Sequence, residues 1–91
     1  MIKVNLPGPL RPYADGNAHV DIDTGAEKCS VGDVLAALEG LHPAIGRRVR
    51  DEQGRIRSHV HVYVGDERAK ELTDPVADGA EVSIIAAVSG G

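Results

Sequence analysis

Between residues 30 and 40 the apolar residues recur with the period of a helix, while the segments before and after recur with the period of strands. That change of period restricts the fold class. Val31, Val34, Leu35 and Leu38 stand at i, i+3, i+4 and i+7 and form one apolar stripe. Ser30 is a good N-cap, and Asp33 three residues on is both a short capping-box partner and a favourable charge in the first turn. Gly40 suits the C′ position, and Pro43 is expected to prevent a restart. The helix should therefore run about two to three turns.

The flanking segments alternate. Ile2, Val4 and Leu6 share one face with Lys3 and Asn5 on the other, the pattern of a strand buried on one side. Pro7-Gly8-Pro9 ends it, and Pro12 with Asp15-Gly16 keeps the next stretch irregular. Val20 and Ile22 mark a second strand from His19 to Asp23. His59 to Val64 is a third, with Val60, Val62 and Val64 on one face and His59, His61 and Tyr63 on the other. Gly65-Asp66 suits a tight turn into a short edge strand from Glu67 to Ala69, and Leu72 is expected to plug the core. Asp74-Pro75 and Asp78-Gly79 are turn signals. The last strand, Glu81 to Ala87, should place Val82, Ile84 and Ala86 inward and Ser83, Ile85 and Ala87 outward.

The first and last strands are the most apolar and should lie side by side at the centre of the sheet. One helix covering one face of a small sheet is a two-layer α+β arrangement. Residues 1–87 are expected to form the domain and residues 88–91 a flexible tail. Between residues 41 and 58, Ile45 and Val49 fit a further helical turn. Arg47, Arg48, Arg50, Arg55 and Arg57 make a basic segment interrupted by Asp51 and Glu52. It reads as a solvated loop, with a docking patch for an acidic partner as the alternative.

Composition removes several functions. Ninety-one residues make one domain, and only two of them are aromatic, both Tyr, so the core must be aliphatic. A net charge of −4 argues against nucleic acid as the main partner. No apolar run is long enough to span a membrane, and the N-terminus reads as a strand rather than a signal peptide, which together predict a cytoplasmic protein. Cys29 stands alone, so an internal disulfide and a Cys-rich zinc site are excluded, and it reads as a small hydrophobe. His59 and His61 share a face but lack a third ligand, so no metal site is expected. Asp66, Glu67, Glu71, Asp74 and Asp78 read as a solvated face. No G-x-x-x-x-G-K-[ST] phosphate loop is present, so the chain should not bind ATP by itself.

The sequence closes on Gly90-Gly91, directly after the apolar run Val82 to Val88. Glycine lacks a Cβ, so such a tail can enter a slot too narrow for other residues, and its terminal carboxylate stands unshielded. The strand order matches the β-grasp, or ubiquitin-like, fold, a mixed sheet of four to five strands on one main helix. Pro9-Leu10-Arg11-Pro12-Tyr13 with Gly16, Val62-Tyr63-Val64 before a turn, Asp78-Gly79-Ala80-Glu81-Val82, and Ala87-Val88-Ser89-Gly90-Gly91 together resemble the sulfur carriers of the MoaD/ThiS family, and within it the carriers of cysteine synthesis. The resemblance spans the whole chain. It departs at His61, where the family commonly has Asn, at Gly65, often Asn, and at Ala86-Ala87, where many members carry proline.

The resemblance implies a protein cosubstrate rather than an enzyme, with no catalytic side chains and no bound cofactor. An E1-like adenylating enzyme of the MoeB/ThiF type would use ATP and Mg²⁺ to activate the carboxylate of Gly91, which a sulfur source then converts to a thiocarboxylate. Val88, Ser89 and Gly90 would thread the partner's channel, and four extended residues reach about 13 Å. A sulfur-incorporating synthase would receive the sulfur. In the cysteine branch that is a PLP-dependent cysteine synthase, with a metalloprotease releasing the product. The alternatives are a molybdopterin synthase small subunit and a ubiquitin-like protein modifier. Leu10, Tyr63, Ile85 and Ala87 are expected to form an exposed apolar docking patch near the tail.

Overall fold

The computed structural model describes residues 1–25 and 28–86. Strand β1 (Ile2–Asn5) is followed by a 3-10 helix (Gly8–Ala14), then β2 (His19–Ile22) and β3 (Lys28–Ser30). Helices α1 (Val31–Leu41) and α2 (Pro43–Val49) come next, then β4 (Val60–Val64), β5 (Glu67–Arg68), β6 (Pro75–Ala77) and β7 (Glu81–Ala86). Five strands form one sheet in the order β2-β1-β7-β4-β5, and β3 pairs with β6 in a separate two-stranded ribbon. β1 and β7 are parallel, with Val4 beside Val82, and the other pairings are antiparallel. This is the mixed sheet expected from the sequence, with the first and last strands adjacent at its centre.

The helix forms where the stripe placed it. Ser30 accepts a hydrogen bond from the Asp33 N–H at 3.1 Å and its own N–H donates to the Asp33 carboxylate at 2.9 Å, a complete capping box. Val31, Val34, Leu35 and Leu38 are all buried. The end of α1 differs from expectation. The helix runs past Gly40 to Leu41 and stops at His42 (φ −137°, ψ 81°), outside the α region that the following proline disfavours. Pro43 does not prevent a restart. It is the first residue of α2, where its missing N–H costs nothing and its fixed φ is already helical.

The stretch after β1 is not irregular either. Its prolines occupy a 3-10 helix that turns Leu10 and Ala14 into the core. The core is aliphatic throughout, with Ile2, Val4 and Ile22 from the sheet, Leu35 and Leu38 from α1, and Ile45 and Val49 from α2. Leu72 is half-buried against it. β7 alternates as expected, with Val82 and Ile84 buried and Ile85 exposed. The expected boundary between residues 1–87 and 88–91 lies outside the described residues.

Two close contacts fix the periphery. Gly46 lies against Glu39, whose carboxylate takes two hydrogen bonds from Arg50, both at 2.9 Å. The Met1 ammonium donates to the Asp78 carboxylate while the Gly79 N–H donates to the Met1 carbonyl at 3.0 Å, tying the start of β1 to the turn before β7.

A Cβ on Gly46 would sit 2.0 Å from Glu39 Cγ and 2.9 Å from its Cβ, whereas one on Gly40 meets nothing within 4 Å. Gly46→Ala should therefore destabilise by about 1–3 kcal/mol, against the usual helical preference for alanine. Gly40→Ala should stabilise by up to about 1 kcal/mol, and urea denaturation of both variants checks the opposite signs.

The pH dependence follows from exposed groups and should be shallow. The Met1 ammonium is raised above its usual 8.0, chiefly by the hydrogen bond to Asp78, and the Asp78 carboxyl is lowered below its usual 3.8, chiefly by the same bond. Asp51 and Asp74 are also lowered, first by the backbone N–H of Arg55 and of Lys70 respectively. A raised ammonium stabilises the fold fully below its unfolded pKa and less as pH climbs through the folded one, and a lowered carboxyl does the reverse. Urea midpoints should be level between about pH 4 and pH 8 and decline on both sides, with Asp78→Asn removing the alkaline decline.

Candidate functional site

The candidate site is the outer face of the sheet where β7 ends. Helices cover the inner face, and strand alternation turns residues 3, 5, 19, 21, 61, 63, 83 and 85 to the other. The registers set these side chains in rows across the strands. Lys3 lies between Asp21 and Glu81. Next to that row, Asn5 lies between His19 and Ser83, and Ser83 faces Tyr63, which in turn faces Arg68. The third row pairs Ile85 with His61.

Asn5 stitches the central strands from this face. Its Nδ2 donates to Glu81 Oε1 at 2.6 Å and to Ser83 Oγ at 3.2 Å. The face is therefore polar over most of its width and apolar at the end where the chain leaves the sheet. Ile85 keeps 48% of its surface exposed. Tyr63 is half-buried in the adjacent strand. Both belong to the expected docking patch, and the structure places them on one face.

Leu10 does not belong to it. The 3-10 helix carries its side chain into the core, where it is only 5% exposed, while Arg11 Nε donates to the Leu6 carbonyl at 3.1 Å and anchors the turn. Leu10 thus supports the face from within instead of presenting to a partner. Ala87, and the tail residues Val88, Ser89, Gly90 and Gly91, lie outside the described residues. The last described residue, Ala86, pairs with Val60 of β4.

His61 faces Ile85 and has its Nδ1 buried without a hydrogen-bond partner among the described residues. No group of three or more His, Cys, Asp or Glu among the described residues could hold a metal ion. Cys29 is half-buried in β3, its Sγ 3.6 Å from the Val76 carbonyl.

The basic segment is partly structural. Arg50 is clamped to Glu39, whose hydrogen bonds push its pKa up from the ordinary value. Arg48 sits 3.9 Å from the centre of the Tyr13 ring, a cation–π contact. Arg57 Nε donates to the Arg47 carbonyl at 3.0 Å. Sequence reasoning missed these partners, because each joins α2 or its C-cap to a residue in another segment. It missed the Asn5 network as well, although an Asn amid the alternation of β1 is a usable signal.

No helix among the described residues is long and apolar enough to cross a membrane. An exposed apolar end on an otherwise polar sheet, next to the exit of the C-terminal segment, suits docking to another protein better than enclosing a small substrate.

The ThiS family profile matches residues 4–91. The chain is 33% identical to the sulfur carrier protein CysO of Mycobacterium tuberculosis, over 99% of this chain and 98% of that protein. The crystal structure of that CysO superposes with a TM-score of 0.83, at 30% identity and with 97% of this chain and 100% of that one covered. Small archaeal modifier protein 1 of Haloferax volcanii is 40% identical over 72 residues, 79% of this chain and 78% of that protein. The structure of the Amycolatopsis orientalis BexX/CysO complex gives a TM-score of 0.85 at 28% identity, covering all of both chains. With a ubiquitin-like β-grasp fold and a match that runs through its last residue, the chain belongs to the ThiS family of sulfur-carrier-like proteins.

Proposed function

We propose that this protein carries sulfur on Gly91. The observation that supports this most directly is the extent of the family match, which runs from residue 4 through the terminal Gly90-Gly91 and is not confined to the fold. A carboxylate is a poor electrophile, so the α-carboxylate of Gly91 must first be activated. An E1-like enzyme would join it to AMP from ATP, with Mg²⁺, releasing pyrophosphate. A sulfur donor would then displace AMP and leave a thiocarboxylate, the nucleophile that delivers sulfur. The described side chains have a different part in this reading: they hold β7 rigid, present a docking face and leave the terminal residues to the partner.

The outer face fits that role. Ile85 and Tyr63 would meet the partner, with Ala87 beside them, while Val88, Ser89 and Gly90 thread its channel. Similarity to a CysO supports a sulfur-carrier role; if the destination is cysteine synthesis, the acceptor would be a PLP-dependent synthase, with a metalloprotease for release. The BexX/CysO complex supports a protein partner for a carrier of this kind. One observation favours a second reading. At 40% identity to a small archaeal modifier protein, the chain also suits attachment of Gly91 to lysines of other proteins, which begins with the same activation.

Two experiments test the carrier reading. Adding one alanine after Gly91 should abolish ATP-dependent activation by the adenylating partner, read as pyrophosphate release, without changing the unfolding midpoint. Full activation of the extended chain would sink the proposal. Ile85→Asp should weaken binding to that partner by roughly tenfold or more, since removing an apolar contact at a docking centre costs about 1–2 kcal/mol. Titration calorimetry checks it, and an unchanged affinity would remove Ile85 from the interface.

A further inference from the structure

The sheet edge beside the tail exit carries a small basic groove. It has about 190 Å³ of space and is lined by Arg57, Ser58, Val60, His61, Arg68 and Lys70 along with apolar neighbours, with no Asp or Glu among the described residues that line it. That is unexpected in this chain. Residues 47–70 hold seven of its ten Lys and Arg but four of its fourteen Asp and Glu, so a formal +3 faces −7 on the remainder. Strand alternation sends Glu67 and Arg68 to opposite faces of β5. Internal partners explain Arg48, Arg50 and Arg55. Among the described residues the Arg68 and Lys70 side chains make no hydrogen bond or close ion pair, although the Lys70 charge acts on the Asp74 carboxylate. Among the described residues Arg57 hydrogen-bonds only through its Nε, to the Arg47 carbonyl, and its charge also acts on Asp51, so its two terminal nitrogens can take another acceptor.

From this geometry we propose that the groove binds a glutamate- or aspartate-rich segment of a partner protein. Its size selects against a nucleotide or other extended small molecule, which needs a site of about 300 Å³ or more. One carboxylate head fits, and planar guanidinium groups bind carboxylates through paired hydrogen bonds. The position selects a protein. Val60, which lines the groove, pairs with Ala86, so the groove lies one strand spacing, about 4.8 Å, from the strand that ends in the tail. A partner gripping the tail has its own surface against this edge. The acidic remainder of the chain repels such a segment elsewhere and orients it here.

The test follows the backbone amides of the full-length protein by NMR while hexaglutamate is added at low salt, with inorganic phosphate as a parallel titration. Saturable shifts confined to residues 57–61 and 68–70 are expected, weakening as salt is raised. The double variant Arg68→Ala, Lys70→Ala, both exposed and outside the core, should raise the Kd at least about fivefold. Lys3→Ala, on β1 and two strands away from β4, should leave it unchanged. Absence of saturable shifts, shifts centred elsewhere, insensitivity to the double variant, or saturation by phosphate alone would each overturn the proposal. Binding is read without activation of Gly91, so this inference and the carrier reading can fail separately.

Discussion

The structure depends on the parallel pairing of β1 with β7. Parallel neighbours cannot be joined by a tight turn, so everything between them in sequence has to travel out and return. Residues 7–80 do so by carrying α1 and α2 across one face and laying β2, β4 and β5 on the flanks. The register is held from several sides. Lys3, Val4 and Asn5 stand beside Glu81, Val82 and Ser83, the Asn5 amide bonds to both polar neighbours, and the N-terminal ammonium holds Asp78. A slip of one residue would send Ile85 into the core and Ile84 out to solvent.

That constraint also gives the molecule its two sides and its exit. The C-terminal segment leaves from a central strand flanked by β1 and β4, so the body positions it firmly up to Ala86. The helical face is closed by an aliphatic core, and no helix among the described residues covers the other face. Charge is also divided unevenly along the sequence, with a formal +3 within residues 47–70 and −7 over the rest. In the proposed carrier role such surfaces would set which proteins the chain can dock with.

The sequence made most of this legible where a single period ran uninterrupted. The stripe from Val31 to Leu38, the capping pair Ser30 and Asp33, and the alternation of β4 and β7 all read directly, since each depends on local geometry. Proline misled where its meaning depends on context. Pro43 reads as a stop, yet the same ring fits the first position of α2, and the prolines at 9 and 12 sit inside a 3-10 helix. Leu10 was placed on the surface because that helix went unseen. The ribbon of β3 and β6 was not legible, since its three-residue strands find each other only through tertiary packing. That Tyr63 and Ile85 share the outer face was legible from the alternation of β4 and β7. The charges were not, because Glu39 with Arg50 and Tyr13 with Arg48 are partners across elements.

The central claim is that Gly91 is the chemical centre of the molecule, and the mass of the C-terminal peptide tests it most directly. Incubating the protein with its adenylating partner, ATP, Mg²⁺ and a sulfide source should add about 16 Da, oxygen replaced by sulfur, to the peptide ending in Gly91 and to no other. A terminal peptide of unchanged mass under conditions in which the partner converts a known carrier would contradict the account.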